Sequence, residues 1–262
     1  MKISSMLDVI CATHCSALVD CPFDGLGGLM LVAAPEALKT SILRVLKEYP
    51  SALLLTDVNT QTLVRMRDRI AGGEVRSIVM LDLQKIYERD GDTARNVEGT
   101  LRAMASEGFS SASFQSQEIN RMTARCVVMG AITQDLLEKK FEGWKSSGFA
   151  RRFLFPMFQL EDPFILTDAI IRWEKIDLGR SFIPPPASRK IPMLVTQAER
   201  SKLRAFVIHQ YGKTEPFQML IKVYAVLKWH YGERNGKHKN HAWDIVEDFA
   251  ESLGRDGAKL KI

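Results

Sequence analysis

Five short apolar runs alternate with helical patterns along the chain, and this alternation is the strongest constraint on its fold. Each run has the length of a buried strand, and the stretches between the runs repeat apolar residues at helical spacing. Buried strands joined through helices make crossover connections, which place neighbouring strands parallel. The sequence therefore predicts a three-layer α/β domain with a mostly parallel five-strand sheet over residues 27–160. The runs are Leu29–Ala34, Ala52–Thr56, Ser77–Leu81, Cys126–Ile132 and Phe153–Leu160.

The first apolar run leads into a small turn, and Lys39-Thr40 then opens a helical pattern over residues 39–48. A strand, a tight loop and Lys-Thr at a helix start form the layout of a P-loop. In that layout the loop N–H groups surround phosphates, the Lys reaches the β- and γ-phosphates, and the Thr hydroxyl holds Mg²⁺. The residues predicted to contact ATP are Ala34, Pro35, Glu36, Ala37, Leu38, Lys39, Thr40 and Ser41.

The match to the P-loop pattern G-x-x-x-x-G-K-[ST] is incomplete. The pattern falls on Ala33 to Thr40, where Ala33 replaces the first glycine and Leu38 replaces the second. A glycine at the second place lets the backbone approach phosphates without a side chain in the way. The alternative is an ordinary strand-turn-helix whose lysine is solvated, and these eight residues alone leave both interpretations open.

The third apolar run ends in Asp82, and four apolar residues followed by Asp form the Walker B arrangement. With the P-loop candidate upstream, this arrangement predicts that Thr40 and Asp82 hold Mg²⁺ together. The alternative is an Asp that only caps the strand end. No acidic residue follows Asp82 directly, and Glu88 further along is a candidate for the missing carboxylate. The fourth run ends in Thr133, a place where a polar side chain orients the attacking water or senses the γ-phosphate.

Size and composition are those of an ordinary soluble chain. The 262 residues are 46% hydrophobic and 26% charged, and the formal net charge of +5 permits a nucleic-acid partner without proving one. No apolar run reaches the roughly 18–20 residues of a membrane span. The N-terminal stretch shows no secretory signal, so we expect a cytoplasmic protein without a membrane partner.

The cysteines near the N-terminus raise the question of a metal site. Cys11, His14, Cys15 and Cys21 lie close together, but their spacing fits no zinc pattern. Cys11 and Cys15 are also four residues apart on a helix predicted over residues 4–20. Buried free thiols are therefore the better interpretation.

Three consecutive prolines at 184–186 favour an extended linker and mark the best candidate boundary in the chain. We expect an N-terminal helix and connecting loop over 1–26, a P-loop ATPase core over 27–181, and a small helical lid or C-terminal bundle over 182–262. Thr196 and Glu199 fit a capping box at the start of a helix in the last part.

The element order, together with Ser147 to Pro156 (SGFARRFLFP), resembles the ATPase core of phage and plasmid helicase-like proteins. These proteins belong to the additional-strand P-loop and AAA+ group, and the segment is similar to their G-F-x-x-R-F-L motif. The resemblance implies a phosphate-binding Lys39, a sensor at Thr133, and Arg151 or Arg152 as an arginine finger acting on a neighbouring subunit. The alternative for the two arginines is a basic pair at a helix end, favourable with the helix dipole.

The resulting expectation is an oligomeric ATPase, ring or filament, that uses ATP and Mg²⁺. It would act on single- or double-stranded DNA, as a helicase or as a loader of replication proteins. The alternative is a degenerate P-loop scaffold that assembles with partners without hydrolysing ATP, which Leu38 and Gln84 favour. A small-molecule kinase fits less well, because the Arg-Arg segment and the helical C-terminal part do not suit it.

Overall fold

The computed structural model describes residues 1–21, 25–35, 37–108, 124–161, 190–211, 215–235, 241–253 and 258–260. Its α-helices are α1 (Ile3–Cys15), α2 (Lys39–Leu43), α3 (Thr60–Ala71), α4 (Gln84–Tyr87), α5 (Gly91–Ala105), α6 (Gln134–Ser147), α7 (Gln197–Tyr211), α8 (Glu215–Asn235) and α9 (His241–Ser252). Short 3₁₀ turns cover Ser16–Leu18, Arg44–Glu48 and Ala150–Arg152. Its strands are β1 (Val19–Asp20), β2 (Gly28–Val32), β3 (Ala52–Leu55), β4 (Ser77–Met80), β5 (Val127–Ile132), β6 (Phe153–Leu154), β7 (Phe158–Leu160), β8 (Ile191–Pro192) and β9 (Ala258–Leu260).

The central sheet has five strands in the order β3-β4-β5-β2-β6. Each pair of neighbours in this sheet is parallel, which confirms the predicted parallel α/β arrangement. The strand formed by the first apolar run, β2, lies in the sheet interior, with β5 between it and β4. The carboxyl ends of β2, β5 and β4 therefore meet at one edge of the sheet.

Alternate residues of the sheet strands supply two hydrophobic cores. In β2, Leu29 and Leu31 belong to one core, while Met30 and Val32 belong to the other. The first core also contains residues of α1, α2, α8 and α9, and the second contains residues of α3, α5 and α6. The sheet thus lies between two helical layers, as expected when strands are apolar on both faces.

The fifth apolar run was predicted to form one strand, but it forms two. Phe153–Leu154 pairs with β2, whereas Phe158–Leu160 leaves the central sheet and pairs with β9. Pro156 lies between them and has no backbone N–H for a strand ladder, so continuous pairing stops there. Its carbonyl still accepts a hydrogen bond of 2.9 Å from the N–H of Val32.

The helix α8 is apolar on nearly all sides and is buried as a result. It contacts β6 and packs against α1 and α9, so it belongs to a helical layer of the sheet. The buried ammonium of Lys222 donates to the carbonyl of Gly25 at 2.6 Å, and the buried hydroxyl of Tyr231 donates to Asp8 at 2.6 Å. One core therefore contains residues from all three parts of the chain expected from the sequence. The predicted proline linker lies outside the described residues.

The predicted capping box at the start of α7 is confirmed. The N–H of Thr196 donates to the Glu199 carboxylate at 2.7 Å, and the Thr196 hydroxyl accepts from the N–H of Glu199 at 3.3 Å. The same carboxylate accepts from Lys228 and Tyr224 of α8, which joins the two helices. Burial raises the pKa of Glu199, but these hydrogen bonds outweigh it and bring the pKa to about 2.

Cys11 and Cys15 are buried free thiols, as expected, and Cys21 is half-buried. Burial raises the pKa of the Cys11 thiol to about 12, so the thiol stays protonated. Within the described ranges, no three His, Cys, Asp or Glu side chains are grouped as metal ligands. In the same part of the chain, no helix is both long and apolar enough to cross a bilayer.

Candidate functional site

The carboxyl edge of the sheet collects most of the residues that the sequence singled out. The loop from Ala33 to Leu38 follows β2, Asp82 follows β4 closely, and Thr133 follows β5 directly. The N–H of Ala33 donates to the carbonyl of Ile132 at 3.4 Å, so the loop starts against the end of β5. Ala34 and Pro35 are exposed, Ala37 is buried and Ser41 is half-buried, while Glu36 lies outside the described residues.

Lys39 folds back over the start of its own loop. Its ammonium donates to the carbonyl of Ala33 at 2.9 Å and to that of Ala34 at 2.6 Å. Burial lowers the pKa of Lys39, and the negative charge of Asp82 opposes that shift. The lysine is thus held at the carboxyl edge, within electrostatic range of Asp82, where a phosphate would compete with two backbone carbonyls for its protons.

Thr40 joins the loop to the end of β4. Its hydroxyl donates to the carbonyl of Leu81 at 3.2 Å, one residue before Asp82. Asp82 is exposed, and one of its carboxylate oxygens accepts from the N–H of Gln84 at 3.1 Å. A hydroxyl bound to the residue before an exposed aspartate is a donor set that suits Mg²⁺, which takes few protein ligands and completes its shell with phosphate oxygens and water.

Leu38 has the backbone conformation that a glycine would adopt at this place. Its φ is 59° and its ψ is 14°, in the left-handed region, and no other non-glycine residue in the described part has a positive φ. This conformation costs a residue with a Cβ about 1–2 kcal/mol. The side chain is half-buried and packs against the core that contains α1 and α8. Leu38 therefore holds a conformation that glycine adopts without strain, and the apolar packing of its side chain compensates for the cost.

Thr133 has a structural role that is visible in the contacts. Its hydroxyl accepts from the N–H of Leu136 at 3.3 Å and caps the N-terminus of α6. An N-cap of this kind stabilises a helix by about 1 kcal/mol. The hydroxyl proton is still available to donate, so the role of a γ-phosphate sensor stays a prediction.

Arg151 and Arg152 lie at the other edge of the sheet. They directly precede β6, whose first residue Phe153 pairs with Gly28 at the amino end of β2. The Arg152 guanidinium donates to the carbonyl of Gly148 at 2.8 Å, to Ser106 at 3.3 Å and to Glu107 at 3.1 Å. For Arg152, these contacts favour the alternative to an arginine finger, which is a basic residue at the end of a helix. An arginine finger acts between subunits, so that role stays a prediction for both residues.

Asp57 and Arg89, which were not predicted as site residues, form an ion pair at the carboxyl edge. Asp57 follows β3 after one residue, just as Asp82 follows β4 after one residue, and this parallel was a usable signal. Arg89 lies beyond α4 and also donates to the carbonyl of Val58 at 3.1 Å. Glu88, the carboxylate considered from the sequence, is exposed at the end of α4.

In comparisons with known proteins, no protein-family model, no curated protein and no solved structure matches the chain.

Proposed function

We propose that this chain binds Mg²⁺-ATP at the carboxyl edge of its sheet and hydrolyses it. The observation that carries the proposal is the hydrogen bond from the Thr40 hydroxyl to the carbonyl of Leu81, which brings Thr40 to the residue before Asp82, beside the loop that Lys39 closes. In this assignment Lys39 exchanges the carbonyls of Ala33 and Ala34 for phosphate oxygens. Thr40 and Asp82 would hold Mg²⁺, which neutralises charge on the phosphates.

The strand order supports the same assignment. The group that the sequence resembles is named for an additional strand between the P-loop strand and the Walker B strand. Here β5 lies between β2, which leads into the loop with Lys39, and β4, which leads to Asp82. Ligands of open parallel sheets bind at such carboxyl ends.

We extend the proposal to an oligomeric, helicase-like ATPase or loader of replication proteins, of the kind found in phages and mobile elements. The support is the resemblance of the segment Ser147 to Pro156 and the net charge of +5. A basic surface favours DNA through release of counterions, so binding should weaken steeply as the salt concentration rises.

A scaffold that binds ATP without hydrolysing it is the second candidate, and a specific observation favours it. The residue after Asp82 is Leu83, which is buried, and the next is the neutral Gln84. Neither side chain can accept a proton from water, so this segment does not supply the usual catalytic carboxylate.

Calorimetric titration with ATP and Mg²⁺ tests the binding proposal. Lys39→Ala should weaken binding by at least tenfold, because it removes the cation that faces the phosphates. Lys47→Ala is the matched control, since Lys47 is exposed on the following 3₁₀ turn and should not matter. Equal affinity of the wild type and Lys39→Ala would refute the site. Turnover measured with and without single-stranded DNA then separates the ATPase from the scaffold.

A further inference from the structure

Asp57 and Asp82 occupy equivalent positions at the ends of two neighbouring strands. Leu55 of β3 pairs with Met80 of β4, and each aspartate lies two residues beyond that pair. The N–H of Leu81 donates to the carbonyl of Leu55 at 2.9 Å, so the pairing continues past the end of β4. Neighbouring strands are about 4.8 Å apart, so Asp57 lies one strand away from the proposed Mg²⁺ ligand.

The Asp57 carboxylate is held in place by two donors. One of its oxygens accepts from the N–H of Val58 at 2.8 Å, and the other accepts from the Arg89 guanidinium. Arg89 is fixed in turn by its hydrogen bond of 3.1 Å to the carbonyl of Val58. The side chain of Asp57 is still 53% exposed, so water can reach it. Each carboxylate oxygen accepts two hydrogen bonds, which leaves lone pairs for a water molecule.

The site needs a carboxylate from another segment if it is to hydrolyse ATP. The two residues after Asp82 are a buried leucine and a neutral glutamine. Asp82 itself is assigned to the metal. Asp57 is the carboxylate that follows the adjacent strand, and its orientation is already set by Arg89 and the backbone.

We propose that Asp57 is the catalytic carboxylate that orients and deprotonates the attacking water, with Arg89 as its positioning residue. This inference rests on the proposed function. The water oxygen forms a bond to the γ-phosphorus while the bond from that phosphorus to the β,γ-bridging oxygen breaks, and ADP leaves with the electron pair. One water proton passes to the Asp57 carboxylate and then to solvent, so ADP and inorganic phosphate are the products.

The competing explanation is that the pair only ties the loop after β3 to the segment after α4. A partly exposed ion pair contributes little to stability, so its removal should leave the protein folded. The pair of Asp92 and Arg95 on α5 is the control, because it is also an Asp–Arg ion pair but lies largely exposed on a helix surface. If the Asp57–Arg89 pair is only structural, substitutions in either pair should change ATP affinity and turnover equally little.

The test compares ATP affinity, turnover and thermal unfolding of the full chain for the wild type and five variants, of which Glu88→Gln examines the alternative carboxylate. We expect Asp57→Asn to keep ATP affinity within threefold while turnover falls by at least 100-fold. Asp57→Glu should recover part of the lost turnover, because a carboxylate returns. Arg89→Ala should lower turnover with little change in affinity. Asp92→Asn should match the wild type in all three measurements.

Each outcome separates this inference from the function on which it rests. If the wild type does not bind ATP, the proposed function fails and the inference fails with it. If the wild type binds ATP through Lys39 but never hydrolyses it, with or without DNA, the scaffold is supported and Asp57 has no such role. If the wild type hydrolyses ATP and folded Asp57→Asn is as active, the ATPase stands and the inference is overturned. A Glu88→Gln variant that alone loses turnover would assign the role to Glu88.

Discussion

The buried imidazole of His14, on α1, is hydrogen-bonded to Ser77, the first residue of β4, with 2.7 Å between Nδ1 of the histidine and Oγ of the serine. Its other nitrogen, Nε2, lies 3.1 Å from the Oγ of Ser51, which precedes β3. One histidine thus links the N-terminal helix to the starts of two neighbouring strands. Two serine hydroxyls satisfy both ring nitrogens, which is what a buried neutral imidazole requires.

The environment of His14 predicts a specific dependence of stability on pH. Burial, with a smaller contribution from the charge of Arg76, lowers the pKa of His14 to about 4 from 6.5. Because the folded pKa lies below the unfolded one, the stabilisation is complete above about pH 6.5 and is lost as the pH falls towards 4. We expect the free energy of unfolding to fall by about 2 kcal/mol between pH 7 and pH 5.

Urea unfolding at the two pH values measures this loss of stability. His14→Gln should remove most of the difference between the two pH values. His241→Gln is the control, since His241 is exposed at the start of α9. An unchanged pH dependence in a folded His14→Gln protein would show that other groups cause it.

The strained backbone of Leu38 predicts an unusual order of stability among its variants. Alanine keeps the unfavourable left-handed conformation and loses the apolar packing, whereas glycine adopts this conformation without strain. We expect Leu38→Gly to be more stable than Leu38→Ala by about 1 kcal/mol in urea unfolding. At exposed Arg65 inside α3 the order should reverse, because alanine is the better helix former. A Leu38→Ala protein that is the more stable of the two would contradict the left-handed geometry.

Gly28 begins the strand that leads into the candidate phosphate loop, and it leaves no room for a side chain. A Cβ there would lie 1.9 Å from the carbonyl oxygen of Val128 and 2.6 Å from the ring of Phe153. Gly28→Ala should therefore destabilise the protein by about 2–3 kcal/mol, as overpacking does. Gly99→Ala, inside α5 with no atom within 4 Å of the added Cβ, should instead stabilise it by about 1 kcal/mol. Thermal unfolding should give a lower midpoint for Gly28→Ala and a higher one for Gly99→Ala than for the wild type. Equal midpoints for the two variants would refute the close packing around Gly28.

Local signals in the sequence were sufficient for most element positions. The helical pattern predicted over residues 39–48 is observed as α2 (Lys39–Leu43) and the 3₁₀ turn Arg44–Glu48 that follows it directly. The P-loop pattern marked Leu38 as a place usually taken by glycine because of close backbone approach, whereas its left-handed conformation was not predicted. The sequence did not reveal the pairing of Asp57 with Arg89 or the contacts of Arg152 with Ser106 and Glu107. Those contacts join residues more than 30 positions apart, and no local periodicity or capping pattern reports them.

Arg152 and Arg151 are neighbours in sequence, but their expected mutational effects differ. Arg152 donates hydrogen bonds to Gly148, Ser106 and Glu107, so Arg152→Ala should lower the free energy of unfolding by about 2 kcal/mol. Arg152→Lys should recover only part of that loss, because a lysine cannot make the same set of contacts. Urea unfolding checks both values, and an Arg152→Ala protein as stable as the wild type would show that these hydrogen bonds contribute nothing.

The arginine-finger prediction is tested most directly with Arg151, which is half-buried in the 3₁₀ turn before β6. A finger completes the site of a neighbouring subunit, so Arg151→Ala should keep ATP affinity near that of the wild type while turnover falls by about 100-fold or more. Wild-type turnover per subunit should also rise with protein concentration, because the site forms only between subunits. A Lys39→Ala subunit, which retains the finger, should restore turnover when it is mixed with Arg151→Ala subunits that still bind ATP. If the two variants are folded and co-assembled but stay inactive, Arg151 does not act between subunits, and its position at the amino edge of the sheet serves the fold alone.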